Sequence, residues 1–197
     1  MKPLILAMLA ASVAAGPANA QSPVANDVHA QAARAQLIDA DGRPVGEATL
    51  RPSPHGVLVS LRLTKVAPGI HAVHIHQVGR CDRPSFTSAG GHFNPSNHDH
   101  GFLAATGVHA GDLPNIEIPS DMQYAGEYFV DGVTLEAGSN SLMDSDGSAI
   151  VVHAGKDDHM SNPAGNAGDR VACGPITRQR SFSFDRRPDG TGAGLVS

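Results

Sequence analysis

Chemistry in this sequence concentrates in its histidines, eleven in all, most of them between positions 71 and 109. His74 and His76 flank Ile75 where a strand is expected. Residues two apart on a strand face the same side, about 6.6 Å apart along it, so two imidazoles placed this way can meet one metal ion. Taken alone, the pair is a weak signal and fits a half-exposed polar strand face better than a metal site. The next cluster comprises His92-Phe93-Asn94-Pro95, then His100-Gly101, then His109-Ala110-Gly111-Asp112. Three imidazoles and a carboxylate form a complete tetrahedral set with no open position, the pattern of a structural zinc site. Such a site would order a segment that otherwise reads as a solvated histidine-rich loop. His153 ends the apolar run Ala149-Ile150-Val151-Val152, a position held more often by a structural histidine than by a ligand.

The elements that must position these groups are short and alternating. Stretches at 33–38, 46–51, 57–63, 127–134 and 148–153 are separated by turn signals such as Asp41-Gly42, Pro68-Gly69 and Asp144-Ser145-Asp146-Gly147. That spacing predicts an all-β sandwich or barrel built from hairpins. No internal repeat and no helical periodicity follow the first twenty residues. Residues 79–121 and 154–170 are rich in Gly, Pro, Asn, Asp and His, with little strand pattern. Loops of that length are uncommon in a compact domain unless they carry function.

Residues 1–20 read as a cleaved export signal. Lys2 is their one charge, positions 4–15 are almost wholly apolar, and Ala18-Asn19-Ala20 supplies a small-x-small cleavage pattern before Gln21. The apolar run is too short to span a hydrocarbon core of about 30 Å. Residues 21–28 read as a mobile mature terminus and 29–176 as one domain. Residues 177–197, with Arg178, Arg180, Arg186 and Arg187, read as a solvated, disordered tail. Formal charge is −5 and tryptophan is absent, which gives nucleic acid neither a basic run nor the usual stacking platforms. Two cysteines, Cys81 and Cys173, in an exported chain point to one disulfide, worth at most about 4–5 kcal/mol on the chain-entropy account.

Several ordered motifs resemble the copper/zinc superoxide dismutases. They are Gly69-Ile70-His71-Ala72-Val73-His74-Ile75-His76, His92-Phe93-Asn94-Pro95 with His100-Gly101, His109-x-x-Asp112, Val151-Val152-His153, and the run from Gly165-Asn166-Ala167-Gly168-Asp169-Arg170 to Cys173-Gly174. The resemblance runs from Gly69 to Ile176 and more loosely back to His29. It implies an eight-stranded Greek-key β-barrel or sandwich with two long functional loops, an architecture known for that enzyme. It also implies one copper and one zinc per chain. His74, His76, His92 and His153 would hold copper, and His92, His100, His109 and Asp112 zinc, with His92 shared as an imidazolate. Four nitrogen donors suit Cu(II), and the three-histidine-plus-carboxylate set suits zinc.

By the same resemblance Asp157 joins a copper ligand to a zinc ligand, His71 braces the barrel, Arg170 stands beside the copper, and Cys81 pairs with Cys173. The implied activity is dismutation of superoxide to oxygen and hydrogen peroxide by a periplasmic or otherwise secreted monomer or homodimer, free of the membrane after cleavage. His29, His55, His98 and His159 match no role and read as solvated, His98 being close enough to His100 to rival it. Two other functions fit part of the pattern. A periplasmic copper-binding or copper-storage protein needs neither Arg170 nor a bridging imidazole. A zinc hydrolase using His74, His76 and His153 around an activated water leaves His92 and Arg170 without a task. The chain departs from the common cytosolic pattern in the ten residues between Cys81 and His92, in a 157–170 stretch without Lys or Glu, and in its tail.

Overall fold

The computed structural model describes residues 32–179, so the expected signal sequence, the mature terminus and the tail beyond Gln179 lie outside the described residues. Nine strands form two sheets: β1 Ala33–Asp39, β2 Pro44–Ser53, β3 Gly56–Thr64, β4 Gly69–His71, β5 Val73–His76, β6 Ile116–Ile118, β7 Gln123–Asp131, β8 Ala149–His153 and β9 Arg170–Arg178. Seven run antiparallel in the order β5-β8-β9-β1-β2-β3-β7, and β4 pairs with β6. β4 and β5 are one extended run that changes partner at Ala72, and counted so the strands number eight. The sheet order departs from sequence order where β9 returns beside β1, the long-connection return that marks a Greek key.

Alternation sets the core. On β1 the residues Ala33, Ala35 and Leu37 are buried between exposed Arg34 and Gln36. Leu50, Val57, Val59, Leu61, Ile75, Ile150 and Val152 join them in one interior cluster. Strands β5 and β8 behave differently, being buried on both faces. Their inward residues, Val73, Ile75, Ile150 and Val152, face that interior. Their outward residues are His74, His76, Ala149, Val151 and His153, and the two long loops cover them. Ala149 and Val151 pack there with Phe86, Ala89 and Cys173 in a smaller second cluster.

Three boundaries differ from the sequence reading. β6 lies inside the histidine-rich loop, where three residues are too few to show a period. β7 begins at Gln123, because Tyr124, Gly126 and Tyr128 alternate with exposed residues. It ends at Asp131, where Gly132 turns the chain with φ +67°. β9 continues two residues past Ile176, Thr177 and Arg178 pairing with Arg34 and Ala33, while the Arg178 guanidinium donates to the Leu135 carbonyl at 2.7 Å.

Candidate metal centre

Strand register assembles the first half of the site. His74 lies opposite Val151, His76 opposite Ala149, and His153 opposite Arg170. Period-two alternation then places His74, His76 and His153 on the outer face, and the register shift at His153 brings Arg170, three residues before the outward Cys173, to that same face. The first long loop adds the rest by running along the free edge of β5. Phe93 N–H donates to the Ile75 carbonyl and Gln77 N–H to the Gly91 carbonyl, at 2.8 and 2.9 Å. Single bridges follow at His76 with His92 and at His74 with Asp112.

Four of the buried imidazoles, His74, His76, His100 and His153, are each oriented by an outward hydrogen bond, which fixes the tautomer and leaves the other nitrogen's lone pair pointing inward. His76 Nδ1 donates to the Gly90 carbonyl at 2.9 Å, and His153 Nδ1 to the Gly168 carbonyl at 3.2 Å. His74 Nε2 and His100 Nε2 donate to the two oxygens of Asp157, at 2.8 and 2.9 Å. One carboxylate therefore orients a ring in each half of the site. Gly165 makes room for it with φ +64°, since a Cβ there would fall 1.9 Å from Asp157 Oδ1.

Two groups of inward atoms result, His74, His76, His92 and His153 in one and His92, His100, His109 and Asp112 in the other, the donor atoms of each within 4.8 Å of one another. The buried nitrogens His74 Nδ1, His92 Nε2 and His100 Nδ1 have no hydrogen-bond partner. Burying them so is costly unless a cation meets their lone pairs. Spacing fits that cation. A tetrahedral ion with bonds of about 2.0–2.1 Å sets its donors about 3.3 Å apart. In the second group His109 Nδ1 lies 3.4 Å from His92 Nδ1 and 3.3 Å from Asp112 Oδ1, and His100 Nδ1 lies 3.1 Å from Asp112 Oδ2. In the first, His76 Nε2 and His153 Nε2 are 3.4 Å apart.

Protonation follows from burial and charge. Burial and the neighbouring rings push His74 down to about 4, His153 to about 3 and His76 to about 2, so all three are neutral donors at neutral pH. Burial works against ionising Asp157, but hydrogen bonds from His74 and His100 outweigh it and hold its carboxyl well below the usual range. Asp112 is lowered in the same way, burial being outweighed by His92 and the Gly101 N–H.

Arg170 stands on the wall of a cavity of about 390 Å³ that opens onto His76, His92 and His153, with Asn94 and Asn97 on its rim. It is the one charged lysine, arginine or carboxylate side chain among the described residues lining that cavity. Nη1 donates to the Phe86 carbonyl and Nη2 to the Gly90 carbonyl, both at 2.7 Å. Gly90 O thus accepts from Arg170 and from His76 together. The Cys81–Cys173 disulfide is present, with Cα atoms 5.7 Å apart.

Both ring nitrogens of His71 lie on backbone carbonyls, of His153 at 2.7 Å and of Ala67 at 2.9 Å, which leaves none for a metal. His98 is exposed, its Nδ1 3.2 Å from the Val108 carbonyl, and belongs to neither group. His55 is exposed, and His29 lies outside the described residues. His159, expected to be solvated, is instead half-buried. Its N–H donates to Asp157 Oδ1 at 2.6 Å, and its ring packs 5.2 Å from that of Phe102. Two further contributors escaped the sequence reading. Asn115 accepts from Asp157 N–H and donates to Asp157 O, each at 2.8 Å. The Phe86 carbonyl holds Arg170. A backbone acceptor leaves no trace in residue types, and Asn115 had only its nearness to Asp112 to suggest it.

A family model described as copper/zinc superoxide dismutase (SODC) matches residues 45–176. The chain is 43% identical over 144 residues to Cu-Zn superoxide dismutase 1 of Aquifex aeolicus, covering 72% of this chain and 85% of that one. It is 45% identical over 139 residues to the Cu-Zn superoxide dismutase of Caulobacter vibrioides, covering 69% and 80%. A crystal structure of a SOD-like protein from Bacillus subtilis superposes with a TM-score of 0.71 at 35% identity, over 73% of this chain and 97% of that one.

Proposed function

The chain belongs to the copper/zinc superoxide dismutase family, and from that premise we propose that it divides its metal work at His92. It is an oxidoreductase that converts two superoxide ions and two protons to dioxygen and hydrogen peroxide. His74 through Nδ1 and His76, His92 and His153 through Nε2 would hold copper. His92, His100 and His109 through Nδ1, with one Asp112 oxygen, would hold zinc. His92 is common to both groups, and that observation carries the reading. When bound, copper supplies one-electron chemistry by alternating between two oxidation states, while zinc is redox-silent and supplies charge.

The protein's own residues do the rest. With both ring nitrogens turned inward, His92 can hold a proton at Nε2 and release it at the same place. Arg170 draws a small anion into a cavity lined by no other lysine, arginine or carboxylate side chain among the described residues and can hydrogen-bond it there. Asp157 keeps His74 and His100 aligned, and Asn115 keeps the Asp157 backbone in place. His71 braces the strand end that carries His153. A storage protein would have no use for the guanidinium or for the shared imidazole, so that alternative is not favoured.

Export to a periplasm or other oxidising compartment is supported by the 1–20 leader and by the disulfide. Every residue of the site comes from one chain, so a monomer suffices for the chemistry and a homodimer is compatible with it. Metal analysis of the purified protein, with a dismutation assay before and after chelation, tests the function. One copper and one zinc per chain, with activity lost on chelation and restored by both metals, is expected. Full activity in a metal-stripped sample would overturn it.

A further inference from the structure

The segment between Cys81 and His92 is tied by one side-chain hydrogen bond to the turn after β1, which takes no part in the metal groups. Arg83 is exposed and donates from Nη1 to the Asp41 carbonyl at 2.7 Å. Asp41 belongs to the turn joining β1 to β2, which is locked from within. Asp39 accepts from the N–H groups of Asp41 and Arg43 at 3.0 and 2.9 Å, and Arg43 pairs with Asp39 and Asp41, each at 2.7 Å. Gly42 follows with φ +86°, and a Cβ there would lie 2.7 Å from Arg83 Nη1 and 3.0 Å from its central carbon. The guanidinium therefore rests on a glycine that the turn and the contact both require.

Three residues on from Arg83, the same segment meets the cavity. Phe86 N–H donates to the Asp82 carbonyl at 2.9 Å, and Phe86 is fully buried in a left-handed conformation with φ 56°. Its carbonyl accepts from Arg170. The base of the turn pairs with the strand that begins at Arg170, Asp39 opposite Ala172 and Ile38 opposite Cys173. Turn, disulfide segment and β9 enclose a cleft of about 600 Å³ with Arg170 on its wall. The Arg83 hydrogen bond ties the turn to the disulfide segment, whose Pro84, Ser85 and Thr87 line that cleft.

We propose that Arg83 is a positioning residue for Arg170. It acts as a strut that keeps the disulfide segment against the β1–β2 turn, so that the Phe86 carbonyl stays where the Arg170 guanidinium needs it. This rests on the reading of Arg170 as the anion guide. Without the strut, the exposed 82–85 stretch can shift and carry the Phe86 carbonyl with it, while the Phe86 ring stays buried. Arg170 then keeps its bond to Gly90 but loses the one to Phe86, and its second nitrogen swings free. The strut acts on orientation and leaves the metal donors untouched.

The test breaks the strut from both ends. Arg83→Ala removes the donor and a charge; Gly42→Ala displaces the guanidinium with no change of charge. Each should raise the azide dissociation constant of the metal-loaded protein about three- to tenfold, the loss of roughly one hydrogen bond's worth of order. Copper and zinc contents should remain normal. Arg83→Lys, which keeps a donor and the charge, should fall between Arg83→Ala and the parent. Arg80→Ala removes the same charge just before that segment, where the side chain pairs with Asp82, and should shift the constant less than about twofold because exposed charges are screened. In the metal-free protein, solvent exchange of the Arg170 guanidinium protons, followed by NMR, should accelerate in both strut variants. The double variant should be no worse than either single one. Unchanged azide affinity and unchanged Arg170 exchange in both single variants, or additive effects in the double, would overturn the strut. If Arg170→Ala itself left azide affinity unchanged, the guiding role would fail; an effect of Arg170→Ala with none from either strut variant would remove the strut alone.

Discussion

Replacing Arg170 by Glu reverses the single guanidinium charge on the cavity wall and leaves every proposed metal donor in place. Arg170 Nη2 and His76 Nδ1 share the Gly90 carbonyl at 2.7 and 2.9 Å, so the guanidinium lies within about 6 Å of that ring. At about 6 Å a unit charge is worth about 0.7 kcal/mol at bulk-water screening and about 1.4 kcal/mol at half that dielectric constant. Arg170 is half-buried and faces a water-filled cavity, so this range applies rather than the larger values of a dry interior. Charge reversal doubles it, which predicts a fall in kcat/KM of about 10- to 100-fold at low salt. Screening then gives a second, independent signature. Between about 0.01 and 0.1 M salt the Debye length shrinks from about 30 to about 10 Å, so a deficit of about 30-fold should relax to about 10-fold. The assay is pulse-radiolytic or stopped-flow dismutation across a salt series, with copper and zinc measured on the same samples. A variant with both metals bound, full activity at low salt and the parent's salt slope would refute the reasoning.

Three further outcomes follow from the same geometry. His92→Ala should weaken both metals, whereas His109→Ala should chiefly lower zinc; an identical zinc-only loss in the two, read by metal analysis, would exclude a shared imidazole. Cys81→Ser should lower unfolding stability by at most about 4–5 kcal/mol and reduce activity, because it frees the segment that presents Phe86 to Arg170; thiol labelling of the parent should find no free cysteine. In the metal-free protein His74, His153 and His76 are pushed down to about 4, 3 and 2, while an unfolded chain protonates them near 6.5. The unfolded state then binds more protons in acid, so this stability is fully present above about pH 6.5 and is lost as pH falls. The slope should reach at most about 4 kcal/mol per pH unit between about pH 6 and 4. Denaturant melts at a series of pH values measure it, and a flat profile there would show that the three rings are not buried neutral.

The parts of the site legible in the sequence were those fixed by side-chain type at short spacing. His92, His100, His109 and Asp112 form a complete donor set by residue type, whereas His74 and His76 two apart on a strand are a weak signal that gains its meaning from the ordered motifs around it. His153 gives no signal of its own, since nothing local distinguishes a ligand at a strand end from a structural histidine; the family resemblance supplied its role and that of Asp157. Strand existence was likewise readable from alternation, but β6 was too short to show a period, and β7 was misplaced because its glycine and tyrosines alternate weakly. What hydrogen-bonds to backbone was not legible at all. The Phe86 and Gly90 carbonyls, the Asn115 side chain and the half-buried His159 owe their places to chain path, which residue identity does not encode locally.

That division bears on how the centre keeps its shape. The rings of His74, His76, His100 and His153 are each tied by one nitrogen to a carboxylate or carbonyl of the surrounding loops, so the donor set is oriented from outside rather than by the metals alone. Gly90 O links His76 to Arg170, and Asp157 links His74 to His100. A change that moves the 82–90 segment should therefore be felt first at Arg170 and His76, whereas one that moves residues 157–165 should be felt at His74 and His100. The first long loop thus holds Arg170 and His76 and also carries the donors of the second group, whereas Asp157 on the other loop aligns one ring in each group. His92 belongs to neither group exclusively, because its Nδ1 faces Asp112 at 2.8 Å while its Nε2 faces the opposite group without a partner. Asp157 couples the two groups from outside, but of the donors themselves His92 alone belongs to both, which is why its replacement separates a shared centre from two adjacent ones.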